Sequence, residues 1–348
     1  MNLPRLLTLC CCALALAHTA ASADAPPARL AGAFWWMSAA DARRTPESWR
    51  EELDQFQALG MDLLVVSAPF VNDAMPETPE GADADPLKGF FDEADRRSLR
   101  VFINTLFTPD WWTLDDPAPE IARAEVTIRN IARLYGGRPS FHGWYVPYEL
   151  YVFWDREADL IRTLYREVAL RCKAALDKPV MISPFFILDQ AGVLGDFRWA
   201  APEEYQEFWT GMLRQAPVDI VALQDSGEHL SYYTLEDRRP FFAAMKAACD
   251  AAGAALWANV ETGELLVASP EDYTARFGAK THVNDPKTVP YWRGVPAEKL
   301  KDKLQFAGAF TDTAITWGYQ EYIRPASKPT AQALYESYRA LGLAAKDE

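Results

Sequence analysis

Apolar residues gather in eight short runs along the chain, at 32–36, 62–68, 100–106, 141–147, 179–183, 219–223, 255–260 and 313–317. Most are nearly continuous rather than alternating, which is the pattern of strands buried on both faces of a parallel sheet. A stretch with helical spacing follows each run. Trp49, Leu53 and Phe56 share one face of the first, which closes at Gly60; Leu87, Phe90, Phe91 and Ala94 share a face of the second, opened by Asp85-Pro86. Ile121, Ile128, Ile131 and Leu134 mark the third, stopped by Gly136-Gly137, and the fourth, fifth and sixth are expected at 156–176, 202–215 and 240–252. Leu300, Leu304, Ala307 and Phe310 mark the seventh, and Leu334, Tyr335, Tyr338 and Leu341 the eighth. Eight alternating pairs without a break in composition predict an α/β chain folded as one closed (β/α)8 TIM barrel.

In such a barrel the chemistry sits where the strands end, at the face built by the βα loops. Three of these loops are long, at 69–84, 184–201 and 262–294, so a cleft is expected there. The fourth run ends in Trp144-Tyr145-Val146-Pro147-Tyr148-Glu149 and the seventh in Leu256-Trp257-Ala258-Asn259-Val260-Glu261. Two carboxyl groups across one bond are what glycoside hydrolysis commonly needs, about 5–5.5 Å apart for retention and about 6.5–9.5 Å for inversion. Tyr145, Tyr148 and Trp144 are expected to desolvate Glu149, which raises a carboxyl pKa and suits a general acid. A single glutamate at a strand end is as often tied to an arginine of the rim as it is functional; the pair shifts the balance toward catalysis.

Other residues near the strand ends are candidates for holding a substrate: Gln224 and Asp225 after the sixth run, Asn259 two positions before Glu261, and Tyr145, Tyr148, Trp36 and Trp317. Asp225 has four readings: a sugar anchor, a partner that supports another site residue, the true base, or a turn residue opening Ser226-Gly227. Aromatics recur at the expected mouth, among them Trp111, Trp112, Trp154, Phe185, Phe186 and Trp292, and flat rings suit the C–H faces of sugars. A single such ring is more often core. Glu321, past the eighth run, is a further carboxylate, and His229 is placed near the mouth, whereas His142 opens the fourth run at the opposite, stability-bearing face.

Charge and absences narrow the field. The net charge of −14 argues against nucleic acid or an anionic membrane as partner and favours a neutral or cationic ligand. No strand end carries a lysine for Schiff-base chemistry, and no His-x-His, His-Glu-x-x-His, Gly-x-Ser-x-Gly or P-loop pattern occurs. No metal and no cofactor is therefore expected. Residues 1–23 combine Arg5, an apolar stretch and Ala21-Ser22-Ala23, the pattern of a cleaved export signal, with 24–348 as the barrel and a periplasmic or extracellular destination. No later stretch is long enough to insert stably in a membrane. Cys172 and Cys249 fall in the fourth and sixth helices, and a pairing between them is not expected.

The segments Gly143–Glu149, Ile182-Ser183-Pro184-Phe185-Phe186, Leu223-Gln224-Asp225 and Leu256–Glu261 resemble the domain of unknown function 4434 family, which groups with glycoside-hydrolase-like TIM barrels. A broader similarity is to clan A retaining glycosidases, with an acid/base at strand four and a nucleophile at strand seven. That resemblance implies Glu149 as acid/base, Glu261 as nucleophile and a carbohydrate substrate. Tyr148 stands where the clan usually has an Asn that reads the sugar 2-hydroxyl. Two other functions remain open: a barrel that binds carbohydrate without cleaving it, and a lyase or other modifying enzyme using Asp225 with a tyrosine.

Overall fold

The structure, a computed structural model, describes residues 25–75, 85–113, 115–195, 197–225 and 231–342. The expected export signal at 1–23, Ser226-Gly227, His229 and the greater part of the loop at 69–84 lie outside the described residues. Eight parallel strands close into a barrel: β1 (Arg29–Trp36), β2 (Leu63–Ser67), β3 (Arg100–Asn104), β4 (Phe141–Tyr145), β5 (Val180–Ile182), β6 (Ile220–Gln224), β7 (Ala255–Asn259) and β10 (Thr313–Thr316). Around the barrel the order runs β1, β2, β3, β4, β5, β6, β7, β10 and back to β1. The eight expected runs are these eight strands.

The barrel is ringed by α1 (Pro46–Gln57), α2 (Lys88–Arg96), α3 (Ala118–Tyr135), α4 (Asp155–Ala175), α5 (Pro202–Leu213), α6 (Leu235–Ala252), α8 (Ala297–Gly308) and α9 (Pro329–Ala340). Inward strand residues, Phe34, Val65, Phe102, Tyr145, Met181, Ala222 and Ile315 among them, fill the barrel; their outward neighbours pack under the helices in a second, larger apolar layer. Cys172 and Cys249 are buried in that outer layer as free thiols. No helix among the described residues is long and apolar enough to cross a membrane.

Two expectations change. Helix α6 begins at Leu235, not Pro240, because Thr234 and Asp237 form a reciprocal capping box that starts it more than a turn earlier. Proline inside the helix removes one hydrogen bond there, and the box and the buried face carrying Phe241, Phe242 and Met245 outweigh that loss. The long stretch after β7 is not irregular. It holds an antiparallel pair, β8 (Gly263–Leu265) and β9 (Trp292–Gly294), and a short helix α7 (Pro270–Phe277) whose Ser269 accepts from the Asp272 amide. Gly263 faces Gly294 across the pair, and a Cβ on Gly263 would lie 2.5 Å from the Tyr322 ring, so glycine lets this excursion lie flat against the segment after β10. Leu265, Val267, Tyr273, Phe277 and Val283 then meet Val193 and Leu194 of the loop after β5 in a separate apolar cluster, which joins the two long loops over one side of the barrel.

Candidate active site

Strand alternation decides which residues reach the mouth. On β4 and its continuation, Trp144, Val146 and Tyr148 point outward into the helix layer, while Tyr145 points into the barrel. Glu149 shares the inward parity of Tyr145, and it emerges exposed on the wall of a cavity of about 430 Å³. That volume suits a small ligand site. The Tyr145 hydroxyl lies beneath, 3.5 Å from Glu149 Oε1. Burial, and then the charge of Glu149, push the tyrosine pKa well up, so the hydroxyl stays a donor.

Tyr148 is not a cavity residue. Its hydroxyl donates to Glu120 Oε1 at 3.2 Å between α3 and α4, and its carbonyl accepts from Tyr165. Trp144 is likewise turned away, its Nε1 donating to the Leu176 carbonyl. The expected desolvating surround of Glu149 is thus reduced to Tyr145, because the other two rings have the opposite parity.

Beneath the cavity the barrel is closed by a polar layer. Ser183 Oγ donates to the Ala222 carbonyl at 2.8 Å, Gln224 Nε2 donates to the Ser183 carbonyl at 2.9 Å, and Asn259 Nδ2 donates to Ser183 Oγ at 3.2 Å. Gln224 and Asn259 line the cavity, as do Trp36 and Trp317. With their amide nitrogens used on Ser183, the two side chains retain their carbonyl oxygens, and Asn259 Oδ1 is buried without a partner.

Glu261 follows β7 with the parity of Trp257 and Asn259. It is 0% exposed, and neither of its carboxylate oxygens has a hydrogen-bond partner. Lys303 of α8, itself buried, reaches this residue only through its backbone carbonyl, at 2.5 Å. The same ammonium pairs with Asp225 Oδ2 at 2.9 Å, with both side chains only 2% exposed. Asp225 is therefore not a wall residue: one position past the inward Gln224, it points out of the barrel into the ion pair, while its carbonyl accepts from Arg238 Nε. Asp225 is thus not placed on the cavity wall as a sugar anchor would be, and the turn expected at Ser226-Gly227 lies outside the described residues.

The rest of the wall comes from the two joined loops: Phe185, Leu188, Asp189, Leu194 and Phe197 after β5, and His282, Asn284 and Trp292 after β7, with Tyr233 between. Sequence reasoning singled out Phe185 and Trp292 and missed the others, Asp189 above all. The long loop after strand five was their only signal. Of the remaining aromatics expected at the mouth, Phe186 is core, and Phe107 borders a separate hollow of about 230 Å³ beside α3. Glu321 borders an adjoining hollow of about 390 Å³ that shares Trp292 and Trp317 with the main cavity.

Solved structures that share this architecture include the following two. The chain is similar to a Bacteroides thetaiotaomicron VPI-5482 protein provisionally named an alpha-L-fucosidase, at 20% identity and a TM-score of 0.68, covering 90% of this chain and 93% of that one. It is also similar to TsXylA, an intracellular xylanase of Thermoanaerobacterium saccharolyticum, at 12% identity and a TM-score of 0.50, covering 86% of this chain and 90% of that one. At these identities the likeness is one of fold. No curated protein sequence matches the chain. Residues 30–332 match the model described as "Domain of unknown function (DUF4434)", and the chain belongs to that family.

Proposed function

We propose that this protein is an exported glycoside hydrolase that cleaves a poly- or oligosaccharide with two carboxylates, Glu149 as acid/base and Glu261 as nucleophile, by a retaining route. One observation carries the reading: the inward parity of β7 ends in a buried carboxylate that meets no hydrogen bond or ion pair among the described residues, three strands round the barrel from the β4 end with its exposed carboxylate on the cavity wall. Buried charges are normally paired, so an unanswered one is a mark of chemistry rather than of stability. In the reaction, Glu149 protonates the departing glycosidic oxygen while Glu261 attacks the anomeric carbon. Water activated by Glu149 then releases the sugar and restores both groups. The Tyr145 hydroxyl holds Glu149 in position, Asn259 and Gln224 take sugar hydroxyls on their carbonyl oxygens, and Trp36 and Trp317 stack against the ring. No step uses Asp225, which is buried and paired with Lys303.

The complete burial of Glu261 favours one rival, a barrel that binds carbohydrate without cutting it. A screen of the purified protein against cell-surface and plant polysaccharides separates the two. Under the hydrolase reading, reducing ends appear with the wild type, and Glu261→Gln loses at least about 10³-fold in rate, roughly 4 kcal/mol of barrier, while still binding the glycan. Trapping a glycosyl group on Glu261 and locating it by mass spectrometry would establish retention. Equal turnover by Glu261→Gln sinks the mechanism, and binding without turnover by the wild type favours the rival. The export component predicts a mature N-terminus near Asp24, which N-terminal sequencing of secreted protein reads directly.

A further inference from the structure

The cavity wall contains a carboxylate to which the proposed chemistry gives no task. Asp189, in the loop after β5, is 3% exposed and borders the same cavity as Glu149. Its Oδ2 accepts from the Leu194 amide at 2.7 Å, which fixes the side chain, and its Oδ1 is buried with no hydrogen-bond partner. No ion pair reaches it among the described residues. Leu188, Leu194 and Val283 line the same cavity, and little of Asp189 reaches bulk water. A carboxylate in such a place carries a desolvation cost that only a cation or a strong donor relieves.

Among the described residues, no hydrogen bond from the rest of the wall reaches Oδ1. No lysine or arginine lines the cavity among the described residues, and His282 is its one basic side chain there. Gln224 and Asn259 each give one amide N–H to Ser183, and the Tyr233 hydroxyl donates to the Leu188 carbonyl at 2.9 Å. The wall thus sets two carboxylates, Glu149 and Asp189, among aromatic rings. An anionic sugar would meet like charge at both. A ligand bringing its own positive charge would meet its complement.

We propose that Asp189 is a specificity-determining residue that receives the ammonium of an amino sugar, making the substrate a glycan with unacetylated amine groups. The inference rests on the reading of this cavity as a saccharide site and gives that site a substrate class. The Asp189 carboxylate accepts a charge-assisted hydrogen bond from the C–NH3+ group, which N-acetylation or replacement by hydroxyl removes. Asn at this position keeps an oxygen for the Leu194 amide and abolishes the charge, so Asp189→Asn tests the ion pair without opening the loop.

Calorimetric titration of the full mature chain at pH 6, with matched tetramers of β-1,4-glucosamine and α-1,4-galactosamine and their fully N-acetylated counterparts, tests this. At least one amine-bearing tetramer is expected to bind about tenfold or more tightly than its acetylated partner. Asp189→Asn is expected to bring that pair to within about twofold, chiefly by weakening the amine form. Equal binding of both forms by the wild type, binding of none of the four, or a preference that survives in Asp189→Asn overturns the proposal. The wild-type comparison stands even where the variant fails to fold. Release of reducing ends is followed in parallel. Amine-selective binding without cleavage upholds Asp189 and removes the hydrolase, whereas cleavage without amine preference upholds the hydrolase and removes the role of Asp189.

Discussion

Asp225 and Glu261 leave neighbouring strands at nearly the same level, both are shut off from solvent, and one lysine touches both residues, yet only Asp225 has its charge answered. Lys303 gives its charge to the Asp225 carboxylate and only a hydrogen bond to the Glu261 backbone. The difference follows from parity. Asp225 has turned out of the barrel toward α8, where a long basic side chain meets it, while Glu261 continues the inward face of β7, where none does. Burial by itself is therefore no guide to role. The partner is what separates a carboxylate that ties strand six to helix α8 from one that meets no cation among the described residues.

The largest effect expected from breaking this contrast comes from Lys303→Met. It takes the ammonium away from the buried Asp225 carboxylate and should cost about 3–5 kcal/mol of stability, measured by urea unfolding. Adding Asp225→Leu should return most of that loss, because an apolar pair is often as good as a buried ionic one. If Lys303→Met alone unfolds no earlier than the wild type, the ion pair does not hold the strand end and the contrast with Glu261 fails.

A smaller effect of opposite sign is expected at Glu261. Replacing an unanswered buried carboxylate by an amide of the same shape removes a desolvation cost, so Glu261→Gln should leave stability unchanged or raise it by roughly 1–2 kcal/mol, even as it abolishes turnover. Asp225→Asn, which weakens a satisfied pair, should destabilise. Opposite signs at two equally buried acids, read in one set of denaturant curves, would be hard to obtain if both were structural. A marked loss of stability in Glu261→Gln would place it with Asp225.

The strands were legible because a closed parallel barrel requires each one to be apolar on both faces, and few other patterns look like 62–68 or 100–106. Counting them was enough to single out Glu149 and Glu261. Misjudgements arose where a single position decides which side a residue faces. Tyr148 lies next to Glu149 in sequence but on the opposite side of the strand, and Asp225 stands in the same relation to Gln224. Alternation from Tyr145 on β4 and from Ala222 on β6 would have sorted both. Asp189 was not legible by any such rule. Its place depends on Val193 and Leu194 packing against Leu265, Val267 and Tyr273, residues of another loop some seventy positions on, and neither stretch carries the periodicity that predicts contact. The start of α6 was masked by Pro240, a strong local signal overruled by a capping box one turn before it.

The smallest effect concerns the far end of the barrel and serves to isolate the mouth. His142, at the start of β4, has its pKa lowered by burial and by the charges of Arg100 and Lys178, with Asp62 opposing. Its ring packs edge-on against Phe102. A histidine whose folded pKa lies below its unfolded value binds fewer protons when folded. Its contribution is therefore complete above the unfolded value of about 6.5 and is lost as pH falls through it toward the folded one. His142→Asn should accordingly flatten the fall in stability between pH 7 and pH 5, by roughly half a kcal/mol or less because the ring is half-exposed. The pH dependence that remains then comes from other groups. An unchanged slope in His142→Asn would mean that the acid-side loss of stability arises elsewhere than at this end of the barrel.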